Sequence, residues 1–269
     1  MDQMNKETIS QIKARLQTIT DATDPYLQTI RDDSRKGVQM AIQQFERRLA
    51  RQKEAEEAFN NRFKYEKYYW ENGCQYIAGM DEVGRGPLAG PVVTCAVILN
   101  ADFDLIGVTD SKQLTRHERE NLYLRIVDEA VEVSIAVDDA PVIDQMNIYA
   151  ATQDAMIRAV NHLHHRPDHL IVDAVPLAID IPQTTLIKGD QKSISVAAAS
   201  IVAKEYRDHL MRDYDYVYPG YGFAQNMGYG TKEHLAGLEK MGATPIHRCS
   251  FNPVPKYLNP KCQFKLEKC

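Results

Sequence analysis

From Gln75 onward, short apolar runs rich in β-branched residues alternate with longer segments of helical spacing, and this alternation most narrows the fold. "QYIAGMD", "PVVTCAVIL", "VEVSIAVD", "DHLIVDA" and "TTLIKGD" read as strands. "RHERENLYLRIVDEAV" has helical spacing through Leu122, Ile126 and Val127. "NIYAATQDAMIRAVNHLHH" lines Ile148, Ala151, Ala155, Ala159 and Leu163 along one helical face. "SISVAAASIVAKEYRDHLMRDY" predicts a long helix whose small-residue face can lie close to a sheet, and "TKEHLAGLEKMG" one more helix. Strands alternating with helices of this length imply an α/β architecture, a central sheet covered by helices.

Residues 1–72 follow a different pattern. They hold one glycine, Gly37, and no strand-like run. Val38, Ile42, Phe45 and Leu49, continued by Phe59 and Phe63, form the apolar stripe of a long amphipathic helix. Asp33 or Ser34 is placed to cap it, and Ile9, Ile12 and Leu16 mark a shorter helix before it. "YEKYYW" ends the segment; it suits either a seam against the following domain or base stacking, and base rates favour the seam. Asn72-Gly73 is a turn signal, so the expected division is a helical extension at 1–72 and an α/β domain at 73–269.

The 269 residues are 44 % hydrophobic and 26 % charged, which suits one large domain with an appendage. No run of about 18 apolar residues occurs, so no membrane partner is expected. "MDQMNKETIS" lacks the apolar core of a secretory signal. Cys74, Cys95, Cys249, Cys262 and Cys269 are scattered without paired spacing; reduced thiols and a cytoplasmic location are expected. The net charge of −5 argues at first against a nucleic-acid partner. Carboxylates clustered to hold a divalent ion contribute to such a count, however, so the total decides little.

Four acids fall at strand ends or in the turn beyond one: Asp81, Glu82, Asp173 and Asp190. Ligands of α/β sheets bind outside strand ends, where several strands deliver side chains to one place. Adjacent strand residues point to opposite faces, so Asp81 and Glu82 converge only if the strand stops there. Carboxylates held together raise one another's pKa, and divalent cations relieve this. Oxygen-only ligands select Mg²⁺ or Mn²⁺, and two such ions about 4 Å apart serve phosphodiester hydrolysis. Each acid also has a plain reading as a turn or cap residue; Asp190 in particular could support the helix beginning near Ser193. Asp110, Asp144 and Asp208 remain open candidates.

"AGMDEVGRGPLAGPVV" resembles the signature of type 2 ribonucleases H, and specifically of bacterial ribonuclease HII. "TDSKQL", "NI", "IVDA", "KGDQKSISVAAASIVAKEYRD", "GYGTKEHL" and "GATPIHRCSF" follow in the family's order, from about Tyr76 to Val254. The Gly84-Arg85-Gly86 triplet separates the chain from ribonuclease HIII.

The resemblance implies a ribonuclease H-like fold with a central mixed sheet. It implies metal-dependent cleavage of RNA in RNA–DNA hybrids, and cutting 5′ to a single ribonucleotide embedded in duplex DNA. It assigns metal binding and catalysis to Asp81, Glu82, Asp173 and Asp190, and sensing of the ribonucleotide to Tyr229 and to Gly84, Arg85 and Gly86. Arg85 and Lys112 are the expected phosphate contacts, with Lys192 and Lys204 behind them. His247 and Arg248 match the family as well; a catalytic histidine is one reading, and a structural or phosphate-positioning role is the expected one. Asn226 and Met227 stand where many members have His-Lys, which removes one expected phosphate contact. Outside the matched core, Arg47, Arg48, Arg51 and Lys53 form a cationic cluster through which the extension would aid substrate binding; the plainer reading is a solvated face. A monomer suffices for all of this. The other readings are a nuclease of this fold with a different substrate, and a non-catalytic hybrid-binding module. The glycine-arginine-glycine triplet with Tyr229 speaks against the first, and the four acids against the second.

Overall fold

The computed structural model describes residues 7–258; Cys262, Cys269 and the "KCQFKLEKC" segment lie outside the described residues. The chain forms two compact units, Met1–Asn60 and Asn61–Cys269. The sequence reading put the change of pattern at 72/73, and the helix Lys64–Glu71 belongs to the second unit.

In the first unit, α1 (Ile9–Thr18) opens on a capping box between Thr8 and Gln11. With α2 (Pro25–Arg31) and the first part of α3 (Lys36–Arg62), it closes a core of Ile12, Leu16, Ile19, Tyr26, Leu27, Ile30, Val38, Ala41, Ile42 and Phe45. Arg48 donates to the carbonyls of Leu16, Gln17 and Ile19, where a cation satisfies orphan acceptors at the end of α1. Just before α3, the Asp33 carboxylate accepts from the Arg35 amide and guanidinium.

In the second unit, five strands form a mixed sheet in the order β3-β2-β1-β4-β5. The strands β1 (Ile77–Val83), β2 (Val92–Ile98) and β3 (Glu132–Asp138) are antiparallel. β4 (His169–Asp173) and β5 (Gln183–Leu186) run parallel to β1. Alternate residues of β1 serve opposite faces. Ala78 and Met80 meet Ala155, Met156, Ala159 and Val160 of α7 (Ile148–Asn161). Ile77 and Gly79 face α8 (Ile194–Val217), and a Cβ on Gly79 would lie 2.2 Å from the Ser195 carbonyl carbon. The all-small stretch Ala197–Ala199 lets this helix settle against the sheet. The other helices are α5 (Arg116–Glu129), α6 (Ala140–Met146), α9 (Phe223–Asn226) and α10 (Lys232–Met241). Among the described residues, no helix is long and apolar enough to cross a membrane.

The aromatic cluster lies on α4 (Lys64–Glu71). Tyr65, Tyr69 and Trp70 pack on Ile77, Ile171, Leu186 and Val196, so these rings form a seam. Tyr69 stacks on His169 at 3.7 Å. Between them, buried Glu66 accepts hydrogen bonds from the Ser195 amide and the Ser193 and Ser195 hydroxyls. Ser193 itself caps α8 by accepting from the Val196 amide.

Candidate active site

Asp81 and Glu82 sit inside β1, which runs on to Val83; the strand does not stop at the acids as the sequence reading required. Instead, Asp81 Oδ1 accepts the Glu82 amide at 2.7 Å, and both carboxylates still feel the charge of Asp173. β4 explains why. Its parallel register pairs Met80 with Val172, so Asp173 comes one step further, beside Asp81. Asp173 Oδ1 accepts the Gly189 amide at 2.7 Å. That contact holds the short 3₁₀ turn Gly189–Gln191, which delivers Asp190, 5 % exposed. Asp190 therefore lies beyond β5 rather than at its end, reached through Lys188 in the left-handed region at φ 58°. It does not cap the following helix, since Ser193 fills that role.

Asp110 joins this group. It accepts the Lys112 amide at 2.9 Å and the Gln191 side-chain amide at 3.3 Å, and it hydrogen-bonds Asp190. Burial first, then the charges of Asp110 and Asp173, push Asp190 up to about 6. Burial also acts to raise Asp110, but the Lys112 amide, Gln191 and the Lys112 charge outweigh it and leave that carboxyl below its usual value. Asp81 is pushed well above its ordinary value by burial, then by Glu82 and Asp173. Glu82 is raised by burial against the opposing pull of Arg85, which approaches to 3.4 Å. Lys112 acts on Glu82, Asp110 and Asp190 alike.

An unrelieved anionic pocket of this kind suits a hard divalent cation. Glu82 Oε2 is buried without a hydrogen-bond partner, a donor atom left for such an ion. Among the described residues, the set whose ligand atoms all lie within 4.8 Å of one another is a different one, Glu120, Glu205 and His209; Asp81, Glu82, Asp173 and Asp190 are not drawn that close. In that set Arg116 and Arg212 already hold Glu120 and Arg119 holds Glu205 Oε1, although Glu205 Oε2, like Glu82 Oε2, is buried without a hydrogen-bond partner. Asp208 pairs with Lys204 and Arg119, and Asp144 takes the amides of Cys249 and Ser250. Lys204 is thus committed inside α8.

Beside the acids, residues 84–91 form a loop shaped by two buried arginines. Gly84 has φ +95°, and a Cβ there would fall 2.3 Å from Arg207 Nε. Arg207 donates to the carbonyls of Ala89, Pro91 and Met227. Arg248 donates to those of Gly84, Arg85 and Gly90. Neither has a carboxylate partner among the described residues. Burial lowers Arg207 to about 10; burial and then the Arg207 charge lower Arg248 to about 9. Five carbonyls of the loop are thus fixed, and Met227 O ties Arg207 to the next loop. The Leu88 amide donates to Gly228 O, tying this loop to the next one. There Tyr229 is 51 % exposed, with its ring 3.5 Å from where a Cβ on Gly86 would stand. Buried Asn226 builds the turn before Tyr229, accepting the Gly228 amide and donating to Tyr221 O. Arg207 and Asp110 lay in the matching blocks but carried no signal of their own in composition or periodicity.

The ribonuclease HII family profile matches residues 78–254, and the profile of the ribonuclease HII N-terminal domain matches residues 8–70. The chain belongs to the ribonuclease HII family. It is accordingly an endoribonuclease of the ribonuclease H type. A ribonuclease HII of Limosilactobacillus reuteri is 98 % identical over 95 % of this chain and 100 % of its own length. The ribonuclease HII of Limosilactobacillus fermentum is 69 % identical over the same shares of the two chains. Among solved structures, ribonuclease H2 from Pyrococcus horikoshii superimposes with a TM-score of 0.60 and 25 % identity, covering 72 % of this chain and all of that one.

Proposed function

We propose that the protein cleaves the RNA strand of RNA–DNA hybrids and cuts 5′ to single ribonucleotides embedded in duplex DNA, leaving 3′-hydroxyl and 5′-phosphate ends. The observation that supports this best is the meeting of two features: a pocket of converging, strained carboxylates, and a backbone loop stripped of side chains beside an exposed tyrosine. The first suits phosphodiester hydrolysis, the second readout of a 2′-hydroxyl. A related ribonuclease HIII, 21 % identical with a TM-score of 0.51, was solved in complex with Mn²⁺.

Asp81, Glu82, Asp173 and Asp190 would hold Mg²⁺ or Mn²⁺, two ions in the active complex, with Asp110 orienting Asp190 from behind. Bound ions supply a nucleophilic water and offset charge on the departing 3′-oxygen. The protein's own groups do the rest. Asp190 and Glu82 would offer carboxylate oxygens to the ions, and Arg85, beside Glu82 at 3.4 Å, and Lys112 would receive phosphate. Gly84 and Gly86 admit the ribose against the backbone, and Tyr229 stacks on the adjoining sugar and hydrogen-bonds at the junction. Asp81→Asn tests the reading: cleavage disappears while substrate still binds. An enzyme with full activity in that variant would contradict it.

The first unit suits a role in substrate binding. A cavity of about 870 Å³ on its surface is lined by Lys13, Arg47, Arg48 and Arg51 and by no acid. Arg48 is spent on backbone carbonyls, while Lys13, Arg47 and Arg51 make no ion pair with the described residues. Free cations along a groove are what a phosphate backbone requires.

A further inference from the structure

His234 and His247 are 0 % and 1 % exposed, yet neither belongs to the acid pocket. Their ε nitrogens meet at 3.0 Å. The remaining nitrogens are engaged as well. His247 Nδ1 lies 2.9 Å from the Thr244 amide nitrogen, and His234 Nδ1 lies 2.9 Å from the Tyr229 carbonyl oxygen.

These contacts leave one arrangement of protons. The Thr244 amide can only donate, so His247 Nδ1 is an acceptor without a proton. A neutral His247 then carries its proton on Nε2 and donates to His234 Nε2. That leaves His234 with its proton on Nδ1, donated to Tyr229 O, which can only accept. Every donor has an acceptor, in one direction, from Thr244 to Tyr229. A proton added to either ring would set N–H against N–H at the centre. Burial lowers both imidazoles, His247 to about 4 with the His234 charge adding to it, so both stay neutral at neutral pH. The rings of Tyr221 and Phe223 enclose the pair.

We propose that His234 and His247 are positioning residues for Tyr229: a directed chain of neutral imidazoles that anchors the tyrosine's carbonyl and so sets where its ring meets the ribose. The inference rests on the reading that Tyr229 contacts the sugar at the cut. Two buried imidazoles are a costly way to fill a core, since each carries polar nitrogens that must be satisfied. Here they serve the backbone of one half-exposed residue. Tyr229 is otherwise held by its amide donating to Asn226 O and by its carbonyl accepting the Thr231 amide at 2.8 Å. The chain supplies a second donor to that carbonyl, this one from a side chain, and so fixes the direction of the peptide plane that follows the ring.

The test is selectivity between a duplex bearing one ribonucleotide and an RNA–DNA hybrid, with kcat/KM for each measured well below every variant's unfolding midpoint. His234→Phe keeps the ring's bulk and removes the chain. Its ratio of single-ribonucleotide to hybrid cleavage should fall about 10-fold or more, the usual loss when an outer hydrogen-bond partner is removed. His234→Asn places an amide N–H near the lost Nδ1–H and should restore most of the ratio. Equal losses on both substrates, or an unchanged ratio in His234→Phe, would overturn the proposal. Should His234→Phe not fold, His247→Asn is read the same way, because it keeps an acceptor for Thr244 and cuts the chain at its centre. Tyr229→Phe and Tyr229→Ala, run alongside, separate the two ideas. If neither changes the ratio, the reading of Tyr229 itself fails. If they lower it and the histidine variants do not, only the chain fails.

Discussion

At the scale of single residues, the site holds its acids under strain. Asp190 is carried up to about 6 and Asp81 well above its ordinary value, burial leading in both. For Asp190 the sign is direct: a folded-state value above the unfolded one means a cost at high pH that protonation removes on acidification. Asp190→Asn should therefore raise the thermal midpoint of the metal-free protein at pH 8 by a few degrees, about 2–4 °C per kcal/mol for a chain of this size, and by much less at pH 5. An equal gain at both pH values would contradict the assigned shift. Gly84→Ala works the other way. A methyl group 2.3 Å from Arg207 Nε, on a residue at φ +95°, should cost about 1–3 kcal/mol in a urea titration and impair cleavage of both substrates. Asp173 was legible in the sequence because it closes an apolar run. Asp110 was not: its segment has no periodicity, and its membership follows only from Gln191 and Asp190 arriving from elsewhere.

At the scale of elements, α8 is the member that joins the acid pocket to the fold. Its first residue, Ile194, lies four residues after Asp190, and it is fixed by Ser193 and by Glu66 from α4. Only Oε1 of Glu66 receives hydrogen bonds; Oε2 is buried without a partner, and burial raises the carboxyl. Glu66→Gln should thus be close to neutral, since the amide retains the accepting oxygen. Glu66→Leu should cost about 1–3 kcal/mol, because three donors lose their acceptor. Chemical denaturation of the two variants checks this, and similar losses in both would show that the charge matters instead. Here too the reading of the sequence had a natural limit. Small residues along Ala197–Ala199 announced a helix lying close to a sheet. A glutamate amid "YEKYYW" says nothing of a serine 127 residues away. The strand ending expected at Asp81 failed for a related reason, since the pairing of Glu82 with Thr94 and Val83 with Val93 prolongs β1.

At the scale of the whole molecule, a chain of net charge −5 must bind a polyanion, and its cations are gathered rather than numerous. If the first unit grips phosphate through Lys13, Arg47 and Arg51, Arg47→Glu with Arg51→Glu should raise KM severalfold at low salt, leave kcat nearly unchanged, and flatten the dependence of KM on salt. An unaltered KM would assign that unit to stability or to another partner. The alternation of strands and helices made the α/β class readable before any coordinates, and the mixed sheet follows it. The grip of Arg207 and Arg248 on six carbonyls was not readable, because it depends on backbone directions that only the folded loops possess. The measurement that bears most directly on the whole account is cleavage, with Mg²⁺, of three duplexes: DNA with one embedded ribonucleotide, an RNA–DNA hybrid, and DNA alone. The account predicts cutting of the first two, on the 5′ side of the ribonucleotide in the first, and none of the third. Cleavage of plain DNA, or an intact ribonucleotide duplex beside a digested hybrid, would contradict it.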